Sequence, residues 1–528
     1  APSMLIFWNR YVSHTLTAGG GDTGDLFEIM AGSQPGTYVV DGIDQNLLTH
    51  NETIVVKHGS PISVDIEETT YGPIINSIVN GAPANRKFAL RLIEHYRLDQ
   101  HSIVAGIRLM SATSLTTYRD ALRYWMLPTV NAVYAGVDKG AAADDTGHIA
   151  YHALVGIAKR ASTFIVSGLD FTGRHPQDGS DSANDWQGVY DLEWNPHVTD
   201  PDNGYLFSGN HIPVGTWYHD LFYSGIGGLG DSYRSFQLRT MLARLFPTAA
   251  SKITQKQAHE MHYDGGFYLG EILKDVLQVM EDRAVIALPA VPTDAPVTDS
   301  EKAAKLLQVL NLWIAEGGEL KSTSKYFQLL KNLPIALIGA SRYSVSPDFS
   351  CRWHEAQGGV LFFAKSFLAD PTILATAETG FLMLVGKGLW DNMMDRLPET
   401  NPDPTTWTTP TAADVYTAKH HSAFFCNSYN KNCSLDSGND VAFALDLTHG
   451  DTVNAASTSS WPATADFADI DGSKALLAPG VDEEPSSSHY DDMVSAMENV
   501  SKGQDAMPLA PLSRDKLNLG PPDVLTVP

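Results

Sequence analysis

Two periodicities divide the chain into strand-like and helix-like segments. Between residues 36 and 76, β-branched and polar residues partly alternate over short runs, with turn signals at Asp41-Gly42 and at 57–61. This alternation predicts a β-meander, and two earlier runs of similar character predict further strands. The main predicted strands of this region are Leu5–Trp8, Thr15–Ala18, Tyr38–Val40, Glu52–Val56 and Ile62–Ile66.

Helical spacing of apolar residues begins after the meander. Apolar side chains from Leu115 to Trp125 fall on one face of a predicted helix that ends near Pro128. Strand-like runs then return at 131–136 and 147–151. The mixture of both periodicities predicts an α+β fold.

The second half of the chain is first helical and then irregular. Residues 235–345 show helical spacing, including one helix predicted to start at Ser300 and stop at Gly317. From 346 onwards the pattern is mixed, and long polar stretches are predicted to be surface loops. Those stretches are 398–415 and 454–488, and they precede a last short helix predicted from His489 and an extended arm from Met507.

The stretch Gly204–Arg234 is the first candidate for chemistry. A strand at Tyr205–Phe207 that stops at Gly209 would leave Asn210 at a strand end. An asparagine amide there can donate hydrogen bonds to negative charge that develops on a substrate oxygen. Taken alone, the same residues also fit an ordinary turn.

The segment Gly19–Asp25 is the second candidate. It contains three consecutive glycines followed by two aspartates three residues apart, Asp22 and Asp25. Glycines allow a tight turn, and carboxylate and carbonyl oxygens are the ligands of hard cations. The alternative is a solvated turn that caps a helix starting at Leu26.

Composition and charge narrow the function classes. The chain has 528 residues, 43% of them hydrophobic and 18% charged, which is typical of a large globular protein. Its net charge of −25 repels phosphate backbones and anionic lipid, so nucleic acid is not an expected partner. No apolar run is long enough to span a membrane.

The cysteines and the glycosylation sequons point to the secretory route. No signal peptide precedes the strand-like run that opens at Met4, so we expect a segment upstream to have been removed. Cys426 and Cys433 flank a short polar loop and could form a disulfide in an oxidising compartment. Glycosylation sequons at Asn51, Asn432 and Asn499 fit the same expectation, which is a secreted, extracellular or periplasmic protein.

Short motifs follow one another along the chain in a defined order. The motifs are Asn9 to Gly19, Asp22-x-x-Asp25-Leu26-Phe27, Glu52–Lys57, Thr70-x-Gly72-Pro73-Ile74-Ile75, Asn131–Ala135, Asp185-Trp186-x-Gly188, Asn195-Pro196, Gly204-Tyr205 with Asn210, Asp220, Arg234, Ala478-Pro479-Gly480 and Ser488-His489-Tyr490-x-Asp492. Their order resembles the β-subunit of the penicillin acylase (penicillin amidase) family of N-terminal-nucleophile (Ntn) amidases. The resemblance is strongest over residues 1–240.

The resemblance implies a fold and a division of the chain. It implies an αββα sandwich of the Ntn-hydrolase type with a helical excursion and long loops. Residues 1–240 would form the β-subunit-like core and 241–345 the helical excursion. Residues 346–528 would return to the core sheets and end in surface loops and a C-terminal arm.

The resemblance also implies the site. An N-terminal Ser, Thr or Cys attacks an amide carbonyl in this family, with its own α-amine as the base. The oxyanion roles fall on the Asn210 side chain and the Ala18 N–H, and the orienting arginine is Arg234. A structural calcium ion, with no organic cofactor, is expected at ligands that fall on Asp22, Gly24, Asp25, Pro176 and Asp220.

Departures from the family pattern leave two hypotheses open. The family nucleophile lies upstream of the Asn9 motif, so we expect it on another part of the precursor, with an α-chain as partner. Trp8, His14 and Tyr71 replace a family glycine, tryptophan and histidine. The chain is therefore either part of an amidase for an acylated amine, such as a β-lactam side chain or an acyl-homoserine lactone, or a catalytically inactive extracellular structural or binding protein (a pseudoenzyme).

Overall fold

The structure, a computed structural model, describes just over half of the chain. The described residues are 5–79, 85–96, 102–141, 147–160, 165–166, 169–170, 176–211, 214, 233–248, 250–262, 309, 311–317, 324–326, 417–421, 428–432, 445–447, 454–458, 461–477, 480, 482, 484, 486–501 and 507–512. Most of the predicted helical excursion, the loop 398–415 and both cysteines of the predicted disulfide lie outside them. Among the described helices, none is long and apolar enough to cross a bilayer.

The chain forms two compact units, of which the first comprises Ala1–Thr199 with Ile212–Ile226. Its strands are β1 (Phe7–Trp8), β2 (Val12–Ala18), β3 (Gly24–Ile29), β4 (Thr37–Val40), β5 (Ile43–Asn46), β6 (Leu48–Ile54), β7 (Ile62–Thr69), β8 (Gly72–Pro73), β9 (Lys87–Leu92), β10 (Val130–Gly136), β11 (His148–Leu154), β12 (Ile165–Val166), β13 (Leu169–Asp170), β14 (Gln177–Asp178) and β15 (His197–Thr199). Its helices are α1 (Ile93–Tyr96), α2 (Ser102–Met110) and α3 (Leu115–Leu122), with 3-10 turns at Ser182–Asn184 and Leu192–Trp194.

The second unit comprises Asp200–His211 with Gly227–Pro528. Its described helices are α4 (Tyr233–Leu245), α5 (Gln255–His262) and α6 (Val494–Ser501), with a 3-10 turn at Ile470–Gly472. Its described strands are β16 (Thr417–His421), β17 (Ser428–Asn432), β18 (Leu445–Leu447), β19 (Asn454–Thr458), β20 (Ala463–Thr464) and β21 (Lys474–Ala475). Helix α5 is attached to β20 because His259 Nε2 pairs with Thr464 Oγ1 at 2.5 Å.

A five-stranded antiparallel sheet is the centre of the first unit. Its strand order is β1-β2-β10-β11-β15, and the register places Ala18 at the end of β2 opposite Val130. Helices α2 and α3 cover this sheet, and α3 does so with the apolar face that its spacing predicted. The shared core contains Phe7, Val12, Ala105, Leu109, Ala112, Tyr118, Ala121, Leu122, Trp125, Val130, Ala132, Tyr134, Ala150 and Leu154.

A second core forms around strand β3. Strand β3 pairs antiparallel with β9 and parallel with β14, which makes it the middle strand of a three-stranded sheet. The Phe27 ring is fully buried and stacks on Tyr71, with ring centroids 4.2 Å apart. The core contains Phe27, Ile29, Tyr38, Tyr71, Ala89, Ile93, Met126, Ala158 and Trp186.

Several predicted elements differ from the observed ones. The segment Leu26–Glu28 is strand, not the start of a helix, because its backbone bonds are made to neighbouring strands. The predicted strand at Tyr205–Phe207 is wrong, since these residues have no strand pairing and make aromatic contacts instead, Tyr205 with Phe246 and Phe207 with His211. The last helix begins at Val494, and 454–488 contains short strands as well as loops.

The residues that depart from the family pattern have structural roles in the first unit. His14 is fully buried, and its Nδ1 pairs with the Tyr118 hydroxyl at 2.8 Å. Trp8 lies on β1 in regular pairing with Ser13, so the sheet accommodates a large residue there. Tyr71 stacks on Phe27 as described above. These three substitutions are therefore compatible with an intact core.

Burial of His14 predicts a pH-dependent stability. Burial lowers its pKa from 6.5 to about 3, so the folded protein keeps the ring neutral while the unfolded chain protonates it below pH 6.5. The unfolded state then binds the additional proton, and His14 lowers the free energy of unfolding by about 1.4 kcal/mol for each pH unit from 6.5 towards 3. We expect urea unfolding of His14→Phe to depend less on pH between 4.5 and 7 than unfolding of the parent protein.

The control for this measurement removes no titratable group. Ile43 lies on β5 and is 62% exposed, so Ile43→Ala is expected to leave the pH dependence unchanged. An unchanged slope in His14→Phe would show that His14 is already protonated in the folded protein.

Candidate functional site

Ala18, the predicted backbone donor, ends strand β2 at the rim of the five-stranded sheet. Strand β2 runs antiparallel to β10, and the next residue, Gly19, donates its N–H to the Thr129 carbonyl at 3.0 Å. Gly21 follows where the chain passes close to the Val155 side chain, 2.4 Å from where a Cβ would lie. The β2 end is therefore fixed on both sides of Ala18.

Two polar side chains of the sheet hold this strand end. Asn131 Nδ2 donates to Thr17 Oγ1 at 3.1 Å and to the Ala18 carbonyl at 3.3 Å. The Tyr151 hydroxyl donates to Asn131 Oδ1 at 2.6 Å, and Asn131 is fully buried. A buried amide bonded on both sides fixes the peptide that follows Ala18.

Asn210 and Arg234, predicted from distant motifs, meet in the second unit. Arg234, in the first turn of α4, donates from Nη2 to Asn210 Oδ1 and to the Gly209 carbonyl, the latter at 3.2 Å. Asn210 has the left-handed backbone angle φ 62°, which asparagine tolerates better than most residues. The arginine therefore orients the Asn210 amide, whose Nδ2 carries its two donors.

The two predicted oxyanion donors belong to different units. Ala18 lies in the first unit and Asn210 in the second. Because the resemblance assigns both to one oxyanion, it predicts that they lie close together, and this stays a prediction.

The aspartates of the glycine-rich segment meet an arginine. Arg160 Nη2 lies 3.0 Å from Asp22 Oδ1, and Arg160 Nε donates to Asp25 Oδ2 at 2.7 Å. The same Asp25 oxygen accepts from Trp186 Nε1 at 2.5 Å. Trp186 in turn packs against Arg91, which pairs with Asp185 at 3.1 Å. The Asp185-Trp186 motif thus anchors the segment that carries Asp25.

Charge and burial shift the pKa values of Asp22 and Arg160 in opposite directions. Burial raises the pKa of Asp22 to about 6, although the Arg160 charge opposes the shift. Burial disfavours the charged form of Arg160, but its bonds and attraction to Asp25 and Asp22 outweigh that effect and raise its pKa. The guanidinium therefore stays charged between the two carboxyl groups.

The remaining predicted metal ligands are only partly described. Gly24 is the first residue of β3. Pro176 comes directly before β14, and because β14 runs parallel to β3, Pro176 lies near the end of β3 that carries Asp25. Asp220 lies outside the described residues. No group of three or more His, Cys, Asp or Glu that could hold a metal is found within the described part of the chain. The calcium site stays a prediction.

Three residues of these groups were not identified as functional from the sequence. Arg160 follows an apolar run without any motif, Tyr151 is predicted only as a strand residue, and Asn131 belongs to a family motif to which the sequence assigns no role. Their partners lie 113 to 138 residues away along the chain, the longest separation being that of Arg160 and Asp22, apart from the Tyr151–Asn131 pair. No local pattern signals contacts at such separations.

Comparison with known proteins adds sequence relatives. The chain is 27% identical over 218 residues to acyl-homoserine lactone acylase QuiP of Pseudomonas syringae pv. syringae, covering 40% of this chain and 24% of that protein. It is 28% identical over 213 residues to penicillin G acylase of Escherichia coli, covering 40% of this chain and 23% of that protein. The chain spans about a quarter of the length of the curated relatives it matches.

A solved structure and a family profile extend the match. The thermostable penicillin G acylase from Alcaligenes faecalis superposes with a TM-score of 0.65 over 100% of this chain and 90% of that chain, at 15% identity. That likeness shows the α+β fold of the Ntn-hydrolase type. The family profile described as penicillin amidase matches residues 1–507. The chain therefore belongs to the penicillin amidase family.

Proposed function

We propose that the complete protein hydrolyses the amide bond of an acylated amine, such as a β-lactam side chain or an acyl-homoserine lactone. The observation that carries the proposal is the contact between Arg234 and Asn210, which orients an amide donor in a left-handed turn. An oriented donor is what stabilises the oxyanion of acyl transfer. Family membership and the names of the relatives support the same reaction class.

The proposed reaction uses a nucleophile that the family carries at a processed N-terminus. Its hydroxyl or thiol adds to the amide carbonyl, and its own α-amine takes the proton. The family resemblance assigns stabilisation of the resulting oxyanion to Asn210 Nδ2 and the Ala18 N–H. The amine leaves after protonation, and water then hydrolyses the acyl-enzyme. Asn131, held by Tyr151, bonds to Thr17 Oγ1 and to the Ala18 carbonyl, on either side of the Ala18 N–H, and so positions this donor without touching substrate.

The proposal includes a partner and a location. Members of this family are usually processed from a precursor that also yields an α-chain, and we propose the same origin here. A net charge of −25 and the exposed sequon at Asn51 favour a secreted protein.

The alternative is a relative that has lost activity and serves as a structural or binding protein. The substitutions at Trp8, His14 and Tyr71 raised that alternative from sequence. The core contacts of His14 and Tyr71 give these changes a packing role that does not require loss of function. We therefore favour the enzyme.

The test is an amine-release assay on the complete protein, including whatever segment precedes Ala1 in its precursor. The substrates are phenylacetyl-amides, penicillin G and acyl-homoserine lactones of short and long chain. Turnover of at least one, with a linear dependence on enzyme concentration, is expected. No turnover of any substrate by correctly processed protein would favour the inactive relative.

Arg234 is expected to matter through the orientation of Asn210. Arg234→Ala removes the bond to Asn210 Oδ1, and loss of orientation is expected to lower kcat by about 10²-fold. Arg234→Lys keeps the charge but loses the planar fork, so only partial recovery is expected. Steady-state kinetics measure both, with Arg239→Ala on the same helix as control. Equal kcat in Arg234→Ala and the parent would contradict this role.

A further inference from the structure

The pair Asp22 and Asp25 is held by a cation that belongs to the chain itself. Arg160 reaches both carboxylates, at 3.0 Å and 2.7 Å, and its side chain is 5% exposed while that of Asp25 is 1% exposed. The Asp22 side chain is 24% exposed, so the pair with Asp25 is the one shielded from bulk water, and a shielded pair is strong compared with exposed ion pairs. The two contacts join the segment Gly19–Asp25 to the residues that follow strand β11.

Two donors of the chain bond to the same oxygen of the Asp25 carboxylate. Asp25 Oδ2 accepts from both Arg160 Nε and Trp186 Nε1. Calcium takes about six to eight oxygen ligands at about 2.3–2.6 Å. Of the oxygens that the resemblance assigns to calcium, Asp25 Oδ2 already accepts two hydrogen bonds and Asp22 Oδ1 faces Arg160. Asp25 Oδ1 is buried without a hydrogen-bond partner among the described residues.

Electrostatics also disfavours a second cation here. A guanidinium in direct contact with both carboxylates would repel a divalent ion placed between them. Removing the guanidinium would leave two carboxylates and a buried surplus of negative charge. Arg160 and an ion are thus alternatives for the same role.

We propose that Arg160 takes the structural role that the family resemblance assigns to calcium. Its guanidinium fixes the glycine-rich segment through Asp22 and Asp25, and folding of this segment needs no divalent cation. The inference rests on contacts within the first unit and holds whether or not the protein is an amidase. It differs from the predicted calcium site in its response to chelation.

The first experiment follows the apparent Tm of the complete protein by circular dichroism. Excess EGTA, or added calcium chloride at millimolar concentration, is expected to leave Tm unchanged. Elemental analysis of protein purified without chelator is expected to find well below one calcium per chain. A fall in Tm with EGTA that calcium reverses, or stoichiometric bound calcium, would overturn the proposal.

The second experiment removes the guanidinium. Arg160→Met keeps the apolar stem but loses the charge, and a Tm lower by about 6 °C or more is expected because a buried pair is broken. Arg160→Lys should recover part of the loss. The control is Arg86→Met, which breaks the exposed pair with Glu28 on the same strand as Asp25 and should change Tm little.

The outcomes separate the possibilities. If Arg160→Met has the parent Tm, the guanidinium is not a structural cation and the proposal fails. If the variant does not accumulate as folded protein, the EGTA titration and the calcium content of the parent protein still decide the question. A gain of calcium-dependent stability in Arg160→Met alone would support the exchange of one cation for the other.

Discussion

Replacing Asn210 in the complete, processed protein is expected to lower kcat/KM by about 10²–10³-fold, equivalent to roughly 2.7–4 kcal/mol of transition-state stabilisation. Asn210→Asp is the sharper variant. Aspartate tolerates the left-handed backbone at φ 62° and can still accept from Arg234, but it lacks the donors of Nδ2. Asn210→Ala removes the donors and also strains the turn. Both variants are expected to lose kcat with KM changed much less.

The control for Asn210 lies in the same segment. Asn203 is exposed, so Asn203→Ala is expected to keep parent kinetics. Thermal unfolding of each variant separates loss of chemistry from loss of fold. Turnover that is indifferent to Asn210→Asp would mean that the oxyanion donor lies elsewhere in the chain.

Replacing Phe27 with alanine is expected to lower the free energy of unfolding of the first unit by about 3–5 kcal/mol. The ring has no exposed surface and stacks on Tyr71 with an angle of 6° between the planes, so truncation leaves a cavity in the core and removes the stacking contact. Urea denaturation monitored by tryptophan fluorescence measures the loss, because Trp186 belongs to the same core.

An exposed apolar residue provides the comparison for Phe27. Ile43 on β5 is 62% exposed, and Ile43→Ala is expected to change the free energy of unfolding by less than about 0.5 kcal/mol. A Phe27→Ala protein as stable as the parent would contradict the packing of the second core.

Local periodicity was sufficient for many elements of the first unit. The meander, helix α3 and strands β10 and β11 were predicted near their observed positions because each has a clear period of its own. The short segments were harder. Leu26–Glu28 fits helix or strand equally in isolation, and pairing with β9 and β14 decided for strand. The isolated run Tyr205–Phe207 was predicted as strand but found no pairing partner.

For the candidate site, too, the sequence was sufficient for one part of the prediction, which is the choice of residues. Motif order in the sequence was enough to select Ala18, Asn210, Arg234 and the two aspartates, and the family profile confirms the family to which those motifs pointed. The roles of these residues in catalysis and metal binding stay predictions.

By itself, the sequence determined the family, the α+β class and the residues worth testing, because each depends on residue identity and local spacing. Only the tertiary structure decided that Arg160 pairs with Asp22 and Asp25, that Asn131 and Tyr151 hold the end of β2, and that Arg234 orients Asn210. Buried charges and amides are stable only with a partner. Which partner they find depends on strand register and chain packing between segments far apart in sequence, and no local pattern of residues encodes that choice.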